Sequence, residues 1–247
     1  MLPKLFKLKS SVNINSNFIH EIKYWTHSAQ SILLVSCNFE IEKYNTRLFS
    51  ELSIYYPDEI KKAAHKRQAE FLTGRFTAKY ALLYAGFEEE SLPIIQIGKH
   101  RSPTWPEGFV GSISHNSSQA VCALAKAIDI DYLGIDIESV LSDETALEVA
   151  SQVLKDTELN LLLDKGISFN TAVTIIFSAK ESIFKALYPK VKSYFGFECA
   201  RLTNLDMERS TLVFNLDFDL SLKTGITESL QCYFEQIEDS IFTLIYL

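Results

Sequence analysis

Apolar and polar residues alternate through Tyr132-Leu133-Gly134-Ile135-Asp136-Ile137-Glu138, the period of a half-buried strand. The stretches Ser31–Cys37 and Ala120–Ala125 read as apolar, buried strands. Alternating Leu212, Phe214, Leu216, Phe218 and Leu220 predict one further strand, followed by two more at about Leu230–Gln236 and Ser240–Leu247. Helical spacing governs three other regions. Asp58 opens one that runs toward Gly86 with a break at Thr73-Gly74. A second covers Asp143 to Leu163, with an acidic first turn and Ala146, Leu147, Ala150, Val153 and Leu154 at helical spacing, before Gly166 to Asn170 interrupts. The third is Thr171 to Tyr188. Its apolar face is Ala172, Ile175, Ile176, Ala179, Ile183, Ala186 and Leu187, while Phe177, Glu181 and Lys185 recur every four residues on another face, with Lys180 beside them. Lys43–Leu52 reads as loop or short helix. Closely spaced X-Pro steps predict an extended, loop-like path from Gly98 to Ser114. Residues before Pro57 carry the weakest pattern.

The length of 247 residues allows one large domain or two small ones. The connection Ala127–Asp131 places a boundary, giving halves of 1–128 and 129–247. A net charge of −7 and a pI near 5.3 argue against nucleic acid as a partner, which calls for a basic footprint. The four cysteines (Cys37, Cys122, Cys199, Cys232) form no Cys-x-x-Cys pair, as expected of thiols in a reducing compartment. With no signal-peptide pattern and no apolar run long enough to be a transmembrane segment, the expectation is a cytoplasmic protein. None of the nine glycines builds G-x-G-x-x-G or a Walker loop. Phosphate binding would therefore depend on side-chain cations and a metal.

Asp136 and Glu138 share a strand face roughly 7 Å apart, and at that distance repel by roughly 2 kcal/mol at an effective dielectric near 20. Either exposure to water or a hard cation relieves that repulsion. Adding Glu181 gives three carboxylates, an oxygen-only set that suits Mg²⁺. Lys180 and Lys185 are expected to face the same phosphate-bearing substrate, which points to transfer at phosphorus. The cations Lys61, Lys62, Lys66, Arg67, Arg75 and Lys79 stand against only Asp58, Glu59 and Glu70. They form either a solvated helix face or an anion site that includes Arg67 and Arg75. His115, after Ser114 and near a basic loop, is either a structural histidine at a strand edge or a phosphate donor.

Gly134-Ile135-Asp136-Ile137-Glu138, followed by Phe177-Ser178-Ala179-Lys180-Glu181-Ser182-Ile183-Phe184-Lys185-Ala186, resembles the signature pair of the 4′-phosphopantetheinyl transferases. The likeness extends to Lys66-Arg67-Gln68-Ala69-Glu70-Phe71-Leu72-Thr73-Gly74-Arg75, to Arg101-Ser102-Pro103-Thr104-Trp105-Pro106 and to Gly111-Ser112-Ile113-Ser114-His115. The phenylalanine at 177 is similar to the enterobactin synthetase component D-like branch. Asn116 departs from it, since cysteine often stands there. The resemblance implies an α+β pseudo-dimer of two similar α/β halves with the active site in the cleft between them. It further implies transfer of the phosphopantetheine arm of coenzyme A to a serine of an apo carrier protein (peptidyl, aryl or acyl), serving siderophore or other non-ribosomal peptide synthesis, by a monomer. By that likeness Asp136, Glu138 and Glu181 hold Mg²⁺, with Mn²⁺ as an alternative. Glu181 takes the serine proton, Lys185 stabilises the pyrophosphate and Lys180 assists. Arg67, Arg75, Ser114 and His115 grip coenzyme A phosphates, and Lys99 and Arg101 contact the nucleotide end. Two competing readings are a metal-dependent phosphodiesterase or nuclease and a non-catalytic carrier-binding protein.

Overall fold

The structure, a computed structural model, describes residues 4–247. It has a mixed α/β architecture and resolves into two compact units, residues 4–131 and Tyr132–Leu247. The first contains β1 (Phe6–Asn13), β2 (Ile19–His27), β3 (Ile32–Phe39), α1 (Leu48–Glu51), α2 (Asp58–Lys61), α3 (His65–Tyr84), the short strands β4 (Gln96–Ile97) and β5 (Pro103–Thr104), β6 (Phe109–His115) and β7 (Gln119–Lys126). Its main sheet is antiparallel in the order β1-β2-β3-β7-β6. Alternate residues of β7 (Ala120, Cys122, Leu124) join Leu72, Phe76 and Leu82 of α3 in one core.

The expected break at Thr73-Gly74 is absent, because α3 runs through it. The Thr73 hydroxyl donates to the Ala69 carbonyl at 2.9 Å inside the helix. Gly74 marks a close approach, since a Cβ there would sit 3.0 Å from Ile113 Cγ2. The chain bends instead between α2 and α3, where the Gln68 amide donates to the carbonyls of Lys61 and Ala63. Its oxygen accepts from the hydroxyls of Tyr44 and Tyr56, each at 2.7 Å. The loop expected over Gly98–Ser114 ends early, and Phe109 starts β6, paired with β7. Trp105 covers Gly111 there, where a Cβ would meet its ring.

The second unit contains β8 (Leu133–Ser139), α4 (Asp143–Val153), α5 (Asp156–Leu163), α6 (Phe169–Val191), β9 (Ala200–Asp206), β10 (Thr211–Leu216), α7 (Phe218–Thr224), β11 (Leu230–Ile237) and β12 (Ser240–Tyr246). Its antiparallel sheet has the order β8-β12-β11-β10-β9. The apolar face of α6 packs on Leu212, Phe214, Leu230, Cys232, Ile241 and Ile245.

Two expectations are corrected here. Asp143–Leu163 is two helices, divided where the Lys155 backbone N–H donates to Glu158 Oε2 at 2.9 Å and starts α5. The strand over Leu212–Leu220 stops at Leu216. The Asp217 carboxylate accepts from the Leu220 N–H at 2.7 Å, an N-cap that turns the chain into α7, and Phe218 is 76% exposed. All four cysteines are free thiols. Among the described residues no helix is long and apolar enough to cross a membrane.

Candidate active site

In the first unit Arg67, Arg75, Arg101 and His115 line one cavity of about 230 Å³, together with Glu70. Helix α3 supplies Arg67, Glu70 and Arg75, while β6 supplies His115. Arg67 Nη1 lies 3.3 Å from His115 Nε2 and 3.7 Å from Glu70 Oε2. That same carboxylate oxygen is 3.9 Å from His115 Nε2. Glu70 thus lies beside both the guanidinium and the imidazole, which contact each other directly. The sequence pattern does not single Glu70 out among the candidate site residues, although its i,i+3 spacing from Arg67 is a readable signal.

Arg75 is in a different state. Its guanidinium stacks over Phe71 with 4.7 Å from Cζ to the ring centroid and reaches the Gln96 carbonyl at 3.4 Å. No carboxylate pairs with it among the described residues, and its Nε is without a partner. Burial pulls its pKa down to about 10, and the charge of Arg67 pulls the same way. A partly desolvated charge without a counter-ion is costly, and an anionic ligand would relieve that cost. Arg101 reaches the cavity from a tight turn in which it and His100 adopt left-handed backbone, φ 65° and 54°. Lys99, exposed in the same turn, and Ser114, buried on the opposite side of β6 from His115 by strand alternation, do not line the cavity.

In the second unit the face of β8 carrying Gly134, Asp136 and Glu138 turns toward α6. A Cβ at Gly134 would overlap the Ser182 carbonyl and crowd Ala186, so only glycine lets the helix come this close. One pleat further, Asp136 is 1% exposed, which excludes a solvated carboxylate face. Its Oδ1 accepts from Lys185 Nζ at 2.6 Å. Glu181 joins them electrostatically. Burial raises its pKa first, Lys185 lowers it, and Asp136 raises it. Glu138 is half-buried and pairs with Ile241 across the ladder.

Among the described residues, no three His, Cys, Asp or Glu side chains are already grouped as a metal cluster. Lys185 stands where a cation beside Asp136 would stand. The donor chemistry nevertheless fits a hard divalent ion, with oxygen-only ligands, a buried Asp136, and a half-buried Glu181 whose pKa the charge of Asp136 helps to raise. Lys180 does not join this group. Its Nζ donates to the Val153 carbonyl at 2.8 Å and pairs with Glu158 at 2.9 Å. The expectation that Lys180 and Lys185 face one substrate is therefore corrected: five residues apart on a helix they differ by about 140° in direction, and the two ammonium groups have separate partners. Beside Glu181 lies a hollow of about 170 Å³ lined by Phe184, Tyr194, Phe195 and Phe197.

Residues 56–125 match the family model described as the 4′-phosphopantetheinyl transferase N-terminal domain, and residues 132–235 match that of the 4′-phosphopantetheinyl transferase superfamily. The chain is 36% identical over 155 residues to enterobactin synthase component D of Salmonella typhi, covering 63% of this chain and 62% of that protein. Against enterobactin synthase component D of Escherichia coli (strain K12) it is 38% identical over 128 residues, 52% of this chain and 58% of that protein. Against the 4′-phosphopantetheinyl transferase Npt of Nocardia iowensis it is 30% identical over 164 residues, 60% of this chain and 68% of that protein. The chain thus spans 62% or less of the enterobactin synthase components it matches. With both units matched in order and more than two thirds of Npt covered, the chain belongs to the 4′-phosphopantetheinyl transferase superfamily.

Proposed function

We propose that this chain transfers the 4′-phosphopantetheine arm of coenzyme A to a serine hydroxyl of an apo carrier protein, peptidyl, aryl or acyl, with Mg²⁺ as the metal. The observation that carries this reading is the buried Asp136–Lys185 pair with Glu181 beside it. It joins the two sequence segments whose likeness first suggested the family. The names of the relatives, enterobactin synthase component D and 4′-phosphopantetheinyl transferase, support a role in siderophore or other non-ribosomal peptide synthesis. The two units are proposed to act as a pseudo-dimer with the substrate in the cleft between them, in a cytoplasmic monomer.

In this reading Arg67, Arg75, Arg101 and His115 bind phosphates of coenzyme A, with Ser114 and Lys99 contributing nearby. Paired guanidinium groups suit phosphate because their donors match its oxygens. Asp136, Glu138 and Glu181 would hold Mg²⁺, which supplies charge neutralisation on the pyrophosphate when bound. Lys185 exchanges Asp136 for a pyrophosphate oxygen. The serine oxygen then forms a bond to the phosphorus bearing pantetheine, while the bond to the adenosine phosphate breaks and adenosine 3′,5′-bisphosphate leaves. Glu181, directly or through water, takes the serine proton.

Incubation with coenzyme A, Mg²⁺ and a panel of apo carriers, read by intact mass, tests the proposal. The expected result is a carrier heavier by one phosphopantetheine, with adenosine 3′,5′-bisphosphate released only when carrier is present. Unchanged carrier masses across the panel, or bisphosphate release without carrier, would overturn it in favour of hydrolysis or simple binding.

A further inference from the structure

The pair Lys180–Glu158 is almost wholly buried, its side chains 2% and 3% exposed, and it is saturated with partners. Glu158 accepts from the backbone N–H of Lys155 at 2.9 Å and of Leu202 at 2.8 Å, besides the Lys180 ammonium. Lys180 in turn donates to the Val153 carbonyl. One ion pair therefore joins the end of α4, the start of α5, strand β9 and the middle of α6. Elsewhere on α6, Ser182 and Ser178 meet the Thr243 hydroxyl of β12 at 2.7 and 3.0 Å. Five residues beyond Lys180, Lys185 holds Asp136 on β8. Strands β8 and β9 are opposite edges of the sheet. Helix α6 is thus tied to both edges, and Glu181 lies between the two ties.

We propose that Lys180 is a positioning residue, its buried pair with Glu158 fixing the rotation of α6 and so the aim of Glu181, and that it does not touch substrate. This rests on the transfer reaction proposed above. The magnitude is sufficient: with side chains reaching about 5–6 Å from a helix axis, a rotation of ~10° moves a carboxylate by about 1 Å. Displacements of that size cost on the order of 100-fold in rate.

Three variants test it. Lys180→Met and Glu158→Gln are each expected to lower kcat by roughly 30–100-fold with KM for coenzyme A within about twofold of wild type. In the double variant Lys180→Met/Glu158→Leu, apolar packing replaces the pair, and kcat should recover to within about fivefold of wild type although no cation stands at 180. The inference is overturned if Glu158→Gln keeps wild-type kcat, if the double variant is no better than Lys180→Met, or if Lys180→Met chiefly raises KM for coenzyme A. Amide hydrogen exchange along α6 reads the clamp without any transfer assay. Protection at residues 180–182 should fall in both single variants and return in the double; an unchanged pattern in Glu158→Gln sinks the clamp whatever the reaction is. A wild-type protein that modifies no carrier counts against the proposed function instead.

Discussion

Each unit lays one long helix on an antiparallel five-stranded sheet, yet the two treat charge in opposite ways. In the first, Arg75 is half-buried with no acidic partner among the described residues, and three guanidinium groups line one cavity with only Glu59 and Glu70 as carboxylates. In the second, the cations are already committed, Lys180 to Glu158 and Lys185 to Asp136. The first arrangement is costly alone and is relieved by an anion. The second is settled alone and, in the proposed reaction, would exchange a partner when a metal and a pyrophosphate bind. On the proposed function, that difference would separate a preformed binding cavity from a site that rearranges on loading.

The largest expected effect lies in the second unit. Asp136→Ala should lower carrier modification by about 10³-fold, by analogy with the loss of other electrostatic stabilisers, while coenzyme A binding stays nearly intact; modification timed by intact mass checks it. Comparable loss of binding would erase the contrast between the units.

Replacing Arg75 with methionine should raise KM for coenzyme A by roughly 10–50-fold. The same change should raise the melting temperature of the unliganded protein by about 2–4 °C, because it removes a half-buried charge with no acidic partner among the described residues. Scanning calorimetry and steady-state kinetics on one preparation separate these effects. A lower melting temperature would mean that the Phe71 stacking outweighs the desolvation cost.

Two glycines sharpen the comparison next. Gly134→Ala drives a methyl into the Ser182 carbonyl and should destabilise by about 1–3 kcal/mol. Gly74→Ala meets the Cγ2 methyl of Ile113 at 3.0 Å but gains helix propensity, so urea melts should place it within about 1 kcal/mol of wild type. Smallest of all, Lys99→Ala should weaken coenzyme A binding by about two- to threefold at low salt and not measurably at about 1 M salt. A salt-independent loss would put Lys99 inside the cavity.

How much of this was legible depends on what the sequence pattern encodes. The β8 strand and the α6 helix were readable because strong periodicity over seven and eighteen residues survives tertiary packing. β1 was not, since Lys7 and Lys9 lie on an exposed strand at the sheet edge with little apolar alternation to report. Phe218 and Leu220 keep the strand period but sit in α7, because the decisive contact is the cap made by Asp217. In the site, the resemblance to the family implied Arg67, Arg75, Ser114 and His115, with Lys99 and Arg101; of these Arg67, Arg75, Arg101 and His115 line one cavity, and Ser114 and Lys99 do not. The separation of Lys180 from Lys185 was not legible, because it depends on Glu158, twenty-two residues earlier and on another helix.

The most direct test of the contrast is calorimetric titration of adenosine 3′,5′-bisphosphate into the wild-type protein with EDTA and with Mg²⁺, and into Asp136→Asn. A preformed anion cavity predicts dissociation constants that agree within about twofold in all three cases. Binding that requires Mg²⁺, or that disappears with Asp136→Asn, would contradict it.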